Sequence, residues 1–484
     1  MTTSIAERIK TPANFIDNRP SPATTTHECR NPADPDDLVG LVPEATAAEI
    51  DSALNAAVAA TGQWQATPAP VRGDLIREWM ALIASHAEEL ASLMTREMGK
   101  PLAESRGELG RARMEAEFAA AEGTRLSGAT IPSRTPGQLI YTELEPLGVV
   151  AAITPWNFPA VAPLRKLAPA LVTGNTVVLK PALETSLTAL ALADLAREAG
   201  IPAGVLNVVC GHGSTVGDAL VNDRRVDAVS FTGSTAVGRS VNLAVAARLG
   251  QVQLELGGKN AAFVESADDL DAVIGHITSA AVQAAGQRCT SISRVIVADA
   301  IADRFVEAVS TVWDGLVVGD PTDPATQVGP LVSRNQYERV SGYVDLGLSD
   351  GAVRTSAVRP VPDGLYYAPT VLDQVTPQMR VAREEIFGPV LTVTRVSHVD
   401  EAIHVVNDTD FGLAAVVFTR DMSVAMRFAR EARAGMVHVN HGTISQPHVP
   451  FGGVKQSGVG AFSIGYTSAA AFTQTKTVYL APGL

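Results

Sequence analysis

Three residues of this chain have the type and setting to do covalent chemistry, and Cys289 leads them. It stands in the run Gly286-Gln-Arg-Cys-Thr290. A thiolate is a strong nucleophile, and a nearby cation or helix N-terminus favours its formation. Arg288 is adjacent, although adjacent side chains need not face the same way, and an isolated cysteine is more often a small core residue. Glu255 lies in Leu254-Glu-Leu-Gly-Gly-Lys-Asn260. A carboxylate between two leucines at a strand end can be desolvated, as a general base requires, or can serve as an N-cap. Asn157 sits in Thr154-Pro-Trp-Asn-Phe-Pro159. Two prolines fix that loop, so the amide can be held as an oxyanion donor, with an Asx-turn as the plainer alternative.

Two glycine turns have the form of phosphate cradles. Gly211-His-Gly213 is an incomplete fingerprint. Gly233-Ser-Thr-Ala-Val-Gly-Arg-Ser240 nearly matches a P-loop, but Arg239 stands where that loop requires lysine, which disfavours a triphosphatase. A strand, a turn and a helix starting at Ser234 still suit a pyrophosphate, through backbone N–H groups.

The elements that must hold these residues follow from periodicity. Residues 46–125 are rich in Ala and Glu with helical spacing, Ile50, Leu54, Ala57 and Val58 falling along one face. From about 146 the chain changes to short apolar runs separated by helical stretches. Strands are expected at Gly148–Thr154, Thr176–Leu179, Val205–Val209 and Ala228–Phe231, with helices over Leu187–Ala199 and from Thr235. A second series has strands at Ala261–Val264, Val295–Ala298 and Val390–Val393, with a helical stretch from Leu270 to about Gly286. Strands alternating with helices imply parallel, doubly wound sheets. Gln138–Leu144 and Gln474–Leu480 both alternate in strand fashion and can pair with each other or with a partner subunit.

Bulk properties narrow the class. At 484 residues the chain needs more than one core. It is 46% hydrophobic and 18% charged, an ordinary globular balance. A formal net charge of −13 disfavours nucleic acid and anionic membranes as partners. No secretory signal or membrane span is read, and Cys29, Cys210 and Cys289 form no disulfide or metal pattern. No metal is expected, and a reducing cytoplasm fits best.

The strings PWNFP, FTGSTAVG, LELGGKN, GQRC, EEIFGP and PFGGVKQSG span positions 155 to 458, with weaker matches NPAD near 31 and REMGKP near 96. In this order they resemble the aldehyde dehydrogenases. The resemblance implies a nucleophile at Cys289, an oxyanion hole from Asn157 and the Cys289 N–H, and a water-activating base at Glu255. It implies NAD or NADP contacts at Thr154, Trp156, Lys180, Ala182, Leu183 and Ser234. Further cofactor contacts are implied at Gly213, Gly217, Phe231, Thr232, Gly233, Gly257, Glu385 and Phe387. The Glu at 255 also favours hydrolysis of the thioester over transfer to coenzyme A.

The chain departs from the family in places that bear on specificity. Where NAD-preferring members often carry Lys-Pro-Ser-Glu, this one has Lys180-Pro-Ala-Leu183, so NADP is permitted. Eight residues after Asn157, where apolar-substrate members often have Trp, stands Arg165, similar to succinate-semialdehyde dehydrogenases. Ser445 matches a carboxylate-contacting serine there, while Gln283 and the run Cys289-Thr290-Ser291 depart from that subfamily. An Arg and a hydroxyl converging on one pocket would hold an anionic tail, unless Arg165 pairs with a protein carboxylate instead. Phe158, Arg288, Thr290 and Phe451 complete the expected substrate surroundings. The expected substrate is a small semialdehyde with a distal anionic group; neutral aldehydes, sulfonate, phosphonate or keto-acid analogues and a non-catalytic binding role are the alternatives.

The expected fold is α/β: a doubly wound cofactor-binding domain (1–127 and 147–257), a second α/β catalytic domain (258–456) and a small β oligomerisation element (128–146 and 457–484). The last implies a homodimer or homotetramer.

Overall fold

The run Val149-Val-Ala-Ala-Ile153 is buried along its whole length, which a strand achieves only when both sheet faces are covered. The computed structural model, which describes residues 3–481, covers both. Val150 and Ala152 point into one apolar core, with the helices Ala69–Ser85, Leu102–Glu122, Val161–Val172 and Ser186–Glu198. Val149, Ala151 and Ile153 point into another, with Ala47–Ala66 and Thr235–Ala246. Strand Val149–Ile153 is central. Thr176–Lys180 and Leu206–Val208 extend the sheet in parallel on one side, and Ala228–Thr232 and Gln251–Glu255 on the other. The chain therefore reverses direction of growth between Val149–Ile153 and Ala228–Thr232. Open α/β sheets bind ligands beyond the carboxyl ends of the strands at such a point.

The second sheet has seven strands, of which Thr370–Asp373, Val390–Val396, Ile292–Ala298, Asn260–Val264, Ala414–Phe418 and Met436–Val439 run parallel in that spatial order. Its alternating residues also enter two separate cores, Ala262 and Val264 one, Ala261 and Phe263 the other. Leu139–Pro146 pairs antiparallel with Thr473–Leu480, and Thr130–Ile131 joins them in a three-stranded sheet. Gly458–Val459 lies elsewhere, as an antiparallel edge on Gln251–Glu255.

Two local expectations need correction, and one pair of strands has no counterpart in the sequence reading. Val58 is 46% exposed, off the buried face of Ile50, Leu54 and Ala57. The helix from Leu270 ends at Val282, because Ala284 and Ala285 take left-handed conformations (φ 53° and 54°). The short strands Ala13–Ile16 and, at the edge, Arg19–Pro22 lengthen the first sheet; a tetrapeptide, Pro-containing in the second case, carries too little periodicity to be read as a strand. No helix among the described residues is long and apolar enough to cross a membrane.

Candidate functional site

The carboxyl ends of Val149–Ile153, Ala228–Thr232 and Gln251–Glu255 open onto a cavity of about 220 Å³, and Asn157, Glu255 and Cys289 all line it. Three segments from distant parts of the sequence thus converge where the sheet topology directs a ligand.

The loop carrying Cys289 is held from both sides. Asn260 Nδ2 donates to the carbonyls of Cys289 (2.7 Å) and Ser291 (2.9 Å). Gly286, at φ +72°, presses on Gly388, whose carbonyl oxygen a Cβ there would approach to 2.2 Å. The left-handed backbone of Ala284 and Ala285, sparsely populated for residues with a Cβ, is the cost of that placement. Burial pushes the Cys289 thiol up to about 11, helped by the Glu255 charge and opposed by Arg165 and Arg288. The thiol thus rests protonated here at neutral pH, and neighbouring cations do not overcome desolvation.

Asn157 Nδ2 donates to the carbonyl of Gln287 (2.9 Å), two residues before Cys289, which ties the loop to the nucleophile segment. Lys100 Nζ donates to the Asn157 carbonyl (2.9 Å) and pairs with buried Glu108. Glu108 in turn accepts the N–H groups of Ala160 and Val161, at the start of the helix Val161–Val172, where a carboxylate also meets the positive helix end. Glu255 accepts from Thr232 Oγ1 (3.1 Å), while its Oε1 is buried without a partner. A buried oxygen left free in this way is available to a water or reacting proton.

Of the expected cofactor contacts, Trp156, Thr232, Gly233, Ser234, Gly257, Glu385 and Phe387 line the cavity, whereas Thr154, Lys180, Ala182, Leu183, Gly213, Gly217 and Phe231 lie outside its lining. Trp156 and Phe387 meet edge to face at 5.4 Å. Phe387 is left-handed (φ 63°), and Gln336 Nε2 donates to its carbonyl (2.7 Å). Glu385 accepts the Gly258 N–H (3.0 Å), and burial raises its carboxyl to about 7. A Cβ on Gly257 would come within 2.2 Å of that carboxylate, so glycine is required for the approach. Ser234 caps the helix Thr235–Ala246 by accepting the Val237 N–H, and a Cβ on Gly233 would strike the Phe231 ring at 2.5 Å. Thr154 Oγ1 is buried without a partner. Lys180 is buried, not solvated, donates to the Pro181 carbonyl (2.8 Å) and is held below its ordinary pKa by burial. Ala182 and half-buried Leu183 follow at a short helical turn, and Gly213–Gly217 forms another, with Gly217 near Lys180. The glycine-cradled turn, the capped helix start, the orphaned Thr154 hydroxyl and the Glu385 carboxylate together fit a nicotinamide dinucleotide.

The substrate side differs from the expected convergence of Arg165 and Ser445. Arg165 is 7% exposed and grips Glu115 with two hydrogen bonds (Nε–Oε2 3.0 Å, Nη2–Oε1 2.9 Å). Its guanidinium stacks over Phe451 at 4.3 Å, and its Nη1 lies 3.9 Å from Glu255. The protein-carboxylate pairing is thus the observed one. Ser445 does not line the cavity; its hydroxyl accepts from Arg111 Nη2 (2.6 Å). Arg111, on the helix Leu102–Glu122, lines the cavity and also bonds Glu115 (2.7 Å). Its i,i+4 spacing to Glu115 reads in sequence as a solvated helical pair, so sequence reasoning missed both. Arg288 lines the cavity as well, 8% exposed, donating to Gln283 Oε1 and the Thr443 carbonyl. Thr290 and Phe158 also line the cavity; the Thr290 carbonyl accepts from Thr443 Oγ1, and Lys100 lies over the Phe158 ring.

The family model for the aldehyde dehydrogenase family matches residues 19–478. The chain is 39% identical over 458 residues to the alpha-ketoglutaric semialdehyde dehydrogenase of Bacillus subtilis (strain 168), covering 93% of this chain and 94% of that one. It is 41% identical to the NADP-dependent succinate-semialdehyde dehydrogenase of Escherichia coli (strain K12), covering 89% of each. An aldehyde dehydrogenase from Bacillus cereus, solved in complex with NAD+, superposes with a TM-score of 0.94 at 36% identity, over 98% of this chain and 97% of that one.

Proposed function

This chain belongs to the aldehyde dehydrogenase family and uses NAD or NADP, and from that premise we propose that its pocket oxidises a short aldehyde bearing a distal anionic group to the corresponding carboxylate. One observation carries the choice of substrate. The cavity that contains Cys289 is lined by four arginines. Arg339 donates to the Glu385 carbonyl; for the other three, Arg111, Arg165 and Arg288, the only carboxylates within ion-pair distance among the described residues are Glu115 and Glu255. An excess guanidinium in a desolvated pocket favours an anion. Both relatives named above are semialdehyde dehydrogenases whose stated substrates carry a distal carboxylate, which supports the same reading.

In this reading Glu255 takes the Cys289 proton through water and releases it to solvent, and the sulfur adds to the aldehyde carbon, forming a thiohemiacetal. The alkoxide oxygen is received by the Asn157 amide and the Cys289 N–H, donors fixed before the reaction begins. Thr154, Lys180, Gly233, Ser234, Glu385 and Phe387 would hold the dinucleotide, with Trp156 against Phe387. When bound, it supplies the hydride acceptor that leaves a thioester on Cys289. Glu255 then takes a proton from water, whose oxygen attacks the thioester carbonyl; the acid departs and the thiol is restored. Leu183, in place of a ribose-binding carboxylate, removes an anion that would repel a 2′-phosphate, so NADP is accepted along with NAD.

We place the cofactor-binding domain at 1–127 and 147–257 and the catalytic domain at 258–456. We assign 128–146 and 457–484 to an oligomerisation element, whose three-stranded sheet of Thr130–Ile131, Leu139–Pro146 and Thr473–Leu480 joins subunits of a homodimer or homotetramer.

Succinate semialdehyde and butanal share a carbon count and differ mainly in the distal carboxylate. With NAD or NADP, and reduced nicotinamide followed by absorbance, the acid is expected to have the higher kcat/KM by about 10- to 150-fold, the range for a hydrogen bond to a buried charge. Equal values would overturn the anionic-substrate assignment and leave a general aldehyde dehydrogenase.

A further inference from the structure

The excess positive charge of the pocket is not spread evenly over its arginines. The Nε–Nη2 edge of Arg165 is spent on Glu115, and its Nη1 faces Glu255 at 3.9 Å. Arg165 thus has its charge balanced before any substrate arrives. Arg288 is the opposite case. Among the described residues no carboxylate lies within ion-pair distance of it, and its two hydrogen bonds go to neutral acceptors, Gln283 Oε1 and the Thr443 carbonyl. Glu104, the carboxyl that acts on it through space, is half-buried, accepts the Ala284 N–H and is raised by desolvation to about 7, so it offsets only part of the charge and forms no ion pair with Arg288. Arg111 stands near enough to Arg288 to lower its proton affinity, after burial, to about 10. Arg288 has no ion-pair partner and Arg111 shares Glu115 with Arg165, so two guanidiniums at the wall of the cavity that contains the thiol carry charge in excess of their counter-ions, a receptor for an oxyanion.

Resting on the anionic-substrate reading above, we infer that Arg288 and Arg111 hold the distal anionic group of the substrate, and that Arg165 does not. Arg288 supplies the unpaired charge from the residue next to the nucleophile. Arg111, fixed by Ser445 Oγ and Glu115, supplies the second guanidinium from the facing helix. Ser445 then acts as a positioning residue for Arg111, which accounts for its distance from the cavity lining. The chemical class of ligand is a short aldehyde ending in a carboxylate, sulfonate or similar oxyanion, planar or tetrahedral, since two separate guanidiniums accept either geometry.

The test compares wild type with Arg288→Gln, Arg288→Lys and Arg111→Gln, measuring kcat and KM for succinate semialdehyde and butanal separately, with thermal unfolding of each variant as the folding control. The expected result is a fall in the acid-to-neutral ratio of kcat/KM, about 10- to 100-fold for Arg288→Gln and about 3- to 10-fold for the more exposed Arg111→Gln, carried mainly by KM for the acid. Arg288→Lys restores part of the ratio, which loss of packing alone would not permit. Succinate, tested as a competitive inhibitor, should weaken in parallel. If wild type shows no preference for the acid, the substrate reading fails and this inference with it. If wild type prefers the acid and both Gln variants keep the full ratio, or lose activity toward the two aldehydes equally, the substrate reading stands and this inference is overturned. Should Arg288→Gln not fold, Arg111→Gln and Arg288→Lys decide the matter on the same ratio.

Discussion

Cys289→Ala is expected to abolish aldehyde oxidation, lowering kcat/KM by about 10⁴-fold or more, the scale on which removal of a covalent nucleophile acts. The other two cysteines do not substitute for it. Cys29 and Cys210 lie inside the first apolar core, and burial raises both thiols, Cys210 to about 12. Only Cys289 lines the cavity with Asn157 and Glu255. The variant should retain its fold, because Asn260 holds the loop through the Cys289 and Ser291 carbonyls and not through the thiol. Steady-state rates with succinate semialdehyde and butanal, beside a dinucleotide-binding titration, check both halves of the statement. Substantial residual turnover would place the covalent chemistry elsewhere.

The second large effect is on stability. Arg165→Met is expected to destabilise the protein by about 3–5 kcal/mol, the cost of breaking a buried ion pair from one side. Glu115 is buried, and burial alone would raise its pKa; Arg165 and then Arg111 outweigh that and hold it below the ordinary carboxylate value. Without Arg165, Arg111 is the one remaining ion-pair partner, and its side chain is 25% exposed. The pH dependence has a definite sign. In wild type a depressed Glu115 pKa contributes stability above the unfolded value near 4.5, lost as pH falls through the folded value. In the variant Glu115 protonates more readily, so the deficit is largest at neutral pH and shrinks on acidification. Denaturant unfolding of both proteins at several pH values measures this. A deficit below about 1 kcal/mol at neutral pH would mean that the pair contributes no more than a surface bridge.

This pair also shows where sequence reading stops. Cys289, Glu255 and Asn157 were legible because each sits in a short string whose local chemistry, a strand end, a glycine turn or a proline-fixed loop, already restricts its role. The strand–turn–helix at Ser234 was legible for the same reason. Arg165 was legible as a residue facing the pocket but not as one already paired, since Glu115 lies 50 positions earlier on a different helix. Arg111 carried no signal at all: with Glu115 it has the spacing of an ordinary solvated helical pair, and only packing of Leu102–Glu122 on Val161–Val172 turns it inward. Lys180 likewise is buried, which its place at the end of the strand Thr176–Lys180 does not reveal. The break after Val282 was hidden because it answers to Gly388, about a hundred residues later, and not to a local breaker. What could be read was fixed within a few residues; what could not depended on contacts between distant segments.

The central claim is that an acyl group is carried on Cys289 and released by Glu255. Its most direct test is intact and peptide mass analysis of Glu255→Gln after mixing with NAD or NADP and whichever of succinate semialdehyde and butanal the wild type prefers. The account predicts one equivalent of reduced nicotinamide in a burst with little further turnover, and an adduct on the Cys289 peptide with the mass of the aldehyde less two hydrogens. Sustained turnover at the wild-type rate with no adduct on Cys289 would contradict it.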